Sequence, residues 1–140
     1  MALFEHLLVP VASESDVEPT CAALEPHLES TSQLTVIHVI EKGGGSIDTA
    51  PLGKRKEDGE AILSAVESTL GESVSVETTI VYGTDLVEAI FDTALEAAVD
   101  AVAFRARGGS RITRLLSGDT TSKLVTDPVV PVVSLPITRT

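Results

Sequence analysis

Leu34 to Ile40 reads LTVIHVI, and six of its seven residues are aliphatic or β-branched. Extended, this run is apolar on both faces, which is the pattern of a strand in a parallel sheet covered by helices on each side. Four more segments read in the same way: His6 to Val11 (HLLVPV), Val74 to Val81 (VSVETTIV), Ala101 to Phe104 (AVAF) and Val129 to Leu135 (VVPVVSL). Between them the apolar spacing turns helical. Val17 to Glu29 sets Thr20, Cys21, Leu24 and Leu28 on one stripe, and Glu57 to Leu70 does so with Ala61, Ile62, Ala65, Val66 and Leu70. Leu86 to Val99 sets Leu86, Ala89, Ile90, Ala94 and Ala98 against Glu88, Asp92 and Glu96, with Asp85 or Thr84 as its N-cap. Strands alternating with helices imply right-handed crossovers. The fold class is therefore α/β: three layers, an open, Rossmann-like five-stranded parallel sheet, helices on both faces, and one domain over 1–140.

Composition supports a globular chain. Of its 140 residues, 43% are hydrophobic and 22% charged, and a chain of this length buries about 68% of its unfolded surface around a single core. Twenty-one acids against 10 bases give a net charge of −11. That balance argues against nucleic acid or an anionic membrane as a general partner, since either needs a broad basic face. No apolar run approaches a membrane span, and Met1 to Glu5 lacks the cationic start of a signal peptide. A single cysteine, Cys21, leaves no internal disulfide and fits a reducing cytoplasm. The acidic, lysine-poor surface fits a high-salt, halophilic cytoplasm, where charge repulsion is screened; it fits an ordinary acidic protein equally well.

The charge is unevenly spread. Ala101 to Gly118 holds four arginines (Arg105, Arg107, Arg111, Arg114) and no acid, so this segment is +4 and the other 122 residues carry −15. It follows a buried strand and contains Gly108, Gly109 and Gly118, ahead of a helix expected from Asp119 or Thr120 through Lys123 to Thr126. Ligands of open α/β sheets bind at the carboxyl ends of strands, where glycines and a helix N-terminus suit a phosphate. The competing reading is a solvated basic loop whose arginines pair with acids elsewhere on the chain. Neither GxGxxG after the first strand nor GxxxxGK[ST] occurs. Lys42 to Gly53, with four glycines and Pro51, reads as a surface loop. Pro131 confines the last strand to a sheet edge.

These pieces together resemble the universal stress protein family. Leu7 to Ser13 (LLVPVAS) is similar to its opening strand, Leu34 to Val39 to its second, and Val81-Tyr82-Gly83 to its third with the glycine turn. Val102 to Leu135 is similar to its ending, with Leu115-Leu116-Ser117-Gly118 and Pro128 to Val133 the most specific parts. The resemblance implies an adenine nucleotide alpha hydrolase-like sheet, a cytoplasmic homodimer formed through edge strand Val129 to Leu135, and a role in stress response without a committed reaction. In members that bind ATP, a glycine, two residues, a glycine, nine residues, a glycine and a hydroxyl residue form the phosphate loop; Gly108 and Gly118 match its second and third glycines.

The remaining positions depart from that pattern. Arg105 takes the place of the first glycine, Asp119 that of the hydroxyl, and Ala12 that of the aspartate ending the first strand. Arg105 is bulky, yet its guanidinium suits a phosphate. Asp119 would set its own carboxylate on the N–H groups a phosphate needs. Ala12 removes a polar anchor. The resulting expectation is a non-catalytic binding or scaffold module with a degenerate nucleotide site at Val11, Ala12, Ser13, Arg105, Arg107, Gly108, Gly118, Asp119 and Thr120, taking ATP, AMP or a small anion if it takes any cofactor. The first alternative is an ATP-binding member with slow or no hydrolysis, in which Thr120 or Thr121 replaces the hydroxyl. A nucleotide-transferring enzyme is the second alternative; its HxGH and SGGxD-like segments are absent.

Other residues read as structural. Ser13 and Ser15 cap the first helix or, alternatively, contact a phosphate. His6, His27 and His38 lack metal spacing, with His38 read as a satisfied core histidine. Cys21 is core packing. Lys54-Arg55-Lys56 precedes a helix and pairs locally with Glu57-Asp58.

Overall fold

The five β-branched runs form five strands, and the computed structural model describes residues 4–41, 52–105 and 123–135 of the chain. They are β1 (His6–Pro10), β2 (Gln33–Glu41), β3 (Ser75–Gly83), β4 (Ala101–Arg105) and β5 (Val132–Leu135). Neighbouring strands pair in parallel in the order β3-β2-β1-β4-β5. Three helices join them: α1 (Val17–Leu24), α2 (Leu52–Leu70) and α3 (Leu86–Glu96). Residues 123–126 are also helical.

Side-chain alternation along the strands divides the core into two layers. Leu7, Val9, Leu34, Val36, Ala101 and Ala103 pack on one face with Cys21 and Leu24 of α1 and Ile62 and Val66 of α2. Leu8, Ile37, Val102 and Phe104 pack on the other with Ile90, Phe91 and Ala94 of α3 and with Leu124. Leu8 and Phe104 are wholly buried. Each contributes roughly 1.5–3 kcal/mol through the apolar surface it removes from water. β3 differs because it lies at the sheet edge: Ser75, Glu77, Thr79 and Tyr82 are exposed, and the residues between them are half-buried.

Several sequence expectations change in detail. Helical geometry tightens after Leu24 into a 3-10 segment, Glu25–Ser30, which has Pro26 in its first turn. Leu52 and Gly53, expected at the end of a loop, open α2, so Lys54, Arg55 and Lys56 lie inside the helix. Arg55 Nη1 donates to the Glu41 carbonyl at 2.9 Å, fastening the helix start to the end of β2. Lys54 pairs with Asp58 one turn on, at 3.0 Å, which raises the Lys54 pKa. Ala61 is exposed, while Leu63 is buried. Ala98 lies past the end of α3 in a left-handed conformation, φ 55°. Pro131 precedes β5 and supplies its carbonyl to Val102 N–H at 2.9 Å. β5 does lie at a sheet edge. Residues 42–51 of the expected loop lie outside the described residues.

Candidate functional site

From β1 the chain moves outward to β2 and β3, then returns past β1 to β4 and β5. The direction of winding therefore reverses between β1 and β4, and a crevice opens beside their carboxyl ends. Proline widens it. Leu8 and Val102 are the last paired residues of β1 and β4. Two residues later β1 carries Pro10, which has no N–H to offer β4. A proline in a central strand is unusual, and here its missing donor falls where the two strands part. The sequence contained this signal; the reading above did not use it.

Val11, the next residue, is tied to β2. Its N–H donates to the Ile37 carbonyl at 2.9 Å, and its own carbonyl accepts from His38 Nδ1, also at 2.9 Å. A carbonyl only accepts, so Nδ1 carries the proton. His38 is thus a satisfied, half-buried histidine, as its place in the strand implied. His6 is likewise satisfied, its Nε2 lying 2.8 Å from Thr35 Oγ1.

Beyond Val11 the chain enters a 3-10 turn, Glu14–Asp16, and then α1. Ser13 occupies the cap position of that turn, yet its side chain makes no capping bond. Its hydroxyl lies 3.0 Å from Ser15 Oγ and donates to Asp16 Oδ2 at 3.3 Å. Asp16 is 2% exposed, a buried carboxylate in the turn that follows β1, and the sequence reading passed over it. Asp85, by contrast, caps α3 as expected, accepting from Glu88 N–H at 3.0 Å.

The other expected site residue among those described is Arg105, the last of β4, whose register partner in β5 is Leu135. Strand alternation sets Arg105 on the face of Ala101 and Ala103, whereas Ala12 packs against the opposite core layer. The two side chains therefore flank the crevice from opposite faces. The Arg105 Nε is shielded from solvent and has no hydrogen-bond partner among the described residues. Arg107, Gly108, Gly118, Asp119 and Thr120 lie outside the described residues. Among the described residues no group of histidine, cysteine and carboxylate side chains could hold a metal ion, and no helix is long and apolar enough to cross a membrane.

The decisive comparison is with family models. The universal stress protein family model matches residues 3–136. The chain belongs to the universal stress protein family. No curated protein sequence matches it. Among solved structures, a universal stress protein family member from Burkholderia pseudomallei is similar with a TM-score of 0.74 at 16% identity, covering 97% of this chain and 98% of its own. A universal stress protein from Archaeoglobus fulgidus gives 0.70 at 20% identity, with 95% and 99% covered. An Arabidopsis thaliana family member solved with AMP bound gives 0.61 at 21%, with 95% and 92% covered. At such identities the likeness is one of fold, and the parallel sheet between helical layers is that of these universal stress proteins.

Proposed function

We propose that this universal stress protein is a non-catalytic, homodimeric, cytoplasmic binding module of the stress response, with an altered nucleotide site between the carboxyl ends of β1 and β4. The observation that carries the reading is the parting of those strands after Leu8 and Val102, with Arg105 at the rim and its buried Nε unmet among the described residues. A buried donor without an acceptor costs roughly 1–3 kcal/mol, which an anionic ligand at that rim would recover. The relative with bound AMP lends support to an adenine nucleotide as the ligand class. Against ATP stand Ala12 and Arg105, and in sequence Asp119, which replace the aspartate, glycine and hydroxyl of the ATP-binding pattern. The fold also leaves β5 at the sheet edge, where a second copy would pair. For the test, the protein is purified in high salt and denatured, and the supernatant is assayed for nucleotide. AMP or no nucleotide is the expected result; stoichiometric ATP would overturn the altered-site reading in favour of an intact ATP binder.

A further inference from the structure

We propose that the backbone N–H of Ala12 is a ligand-binding donor in the crevice, and that His38 is the residue that positions it. The proposal rests on the reading of the β1–β4 crevice as the binding site. In an extended chain the N–H and C=O of one residue point to the same side, and those of the next residue point to the other. Val11 directs both its groups to β2: the N–H to Ile37 and the carbonyl to the His38 imidazole. The Val11–Ala12 peptide is trans and planar, so its N–H lies opposite its C=O. Ala12 N–H therefore points away from β2, toward the β4 side, where Pro10 has already ended the ladder. Among the described residues nothing accepts from it. A ligand acceptor placed there, a purine ring nitrogen or a phosphate oxygen, would complete the bond even though residue 12 has no polar side chain.

His38 holds this orientation because it is itself held. It sits under α2 at Gly59, where an added Cβ would come 2.7 Å from the imidazole Cδ2 and 2.7 Å from Ile80 Cδ1. Ring, helix and strand leave the Val11 carbonyl one fixed donor.

The test uses 15N-labelled native protein, His38→Asn and His38→Phe, each titrated separately with adenosine, inorganic phosphate and AMP. Asparagine keeps an N–H donor near the place of Nδ1; phenylalanine keeps the ring without one. The Ala12 amide resonance should move in the native protein with at least one probe, and the responding arm tells ring nitrogen from phosphate oxygen. Affinity for that probe should fall about tenfold in His38→Phe, as for one lost hydrogen bond, and stay within about threefold in His38→Asn. Should His38→Phe fail to fold, His38→Gln, whose donor is displaced, takes its place. Binding that leaves the Ala12 amide unmoved overturns the donor role. If no probe binds, the site reading and the donor role fall together. An Ala12 amide shift that is the same in ligand-free native protein and ligand-free His38→Phe overturns the positioning alone.

Discussion

Gly59 of α2 lies against His38 of β2 so closely that a Cβ at residue 59 would stand 2.7 Å from the imidazole Cδ2. Alanine in the middle of a helix normally gains about 1 kcal/mol over glycine. Here the imidazole cannot retreat without giving up its 2.9 Å bond to the Val11 carbonyl. Overpacking of this kind costs roughly 1–3 kcal/mol. Gly59→Ala is therefore expected to be destabilising by about 1 kcal/mol net, measured by denaturant unfolding. A stabilised variant would mean that α2 is free to shift.

Ala98 ends α3 in a left-handed conformation, φ 55°. Its N–H bonds the Leu95 carbonyl and that of Val99 bonds Ala94, which is the double closure of a Schellman turn. The methyl group makes that conformation costly by about 1 kcal/mol, and glycine gives back part of the gain by loosening the unfolded chain. Ala98→Gly should raise stability by roughly 0.5 kcal/mol in the same denaturant assay.

Burial pushes the Cys21 thiol above its ordinary value of 9.0, a bond from Thr69 opposes this, and Glu25 adds to it. The folded state therefore holds the proton more tightly than the unfolded chain. Its contribution to stability is complete below pH 9 and is lost as pH rises through the raised folded value. In native protein at pH 8 the thiol should react with a disulfide reagent far more slowly than in urea, and Cys21→Ala should flatten the loss of stability above pH 9. Equal labelling rates would show that the site opens readily.

Restoring the three departed positions tests the altered nucleotide site. Ala12→Asp, Arg105→Gly and Asp119→Ser together should create ATP affinity measurable by calorimetry, each contact adding on the order of 1 kcal/mol. No gain over the native protein would mean that nucleotide, if bound, sits elsewhere.

Val132 opens β5 and is half-buried at the sheet edge. Val132→Glu should move the size-exclusion mass of the proposed dimer to that of a monomer, because a charge there blocks edge pairing. An unchanged elution volume would assign assembly to another surface.

Leu34 to Ile40 carried its fold in its own letters, since two apolar faces have one economical environment. Asp85 likewise carried its role, because capping depends on three following residues. Ser13 did not: its hydroxyl is turned toward the Asp16 carboxylate, to which it donates, and in that orientation its oxygen accepts no N–H of the turn. Lys54 to Lys56 read as flanking a helix because Gly53 looked like a breaker, but the Arg55 bond to Glu41 lies across a chain reversal that local propensity does not register. Of the expected site, Val11, Ala12, Ser13 and Arg105 fall at the ends of β1 and β4, which strand order alone could bring together.

Periodicity, proline placement and charge count, all local or additive, determined the α/β class, the edge position of the last strand and the acidic surface. Only the tertiary structure decided that the winding reverses between β1 and β4, that Ala12 and Arg105 flank the crevice from opposite faces, and that His38 meets the Val11 carbonyl beneath Gly59. Those relationships join residues 21 to 94 positions apart, and their directions are set by sheet register and side-chain alternation, which no single segment contains.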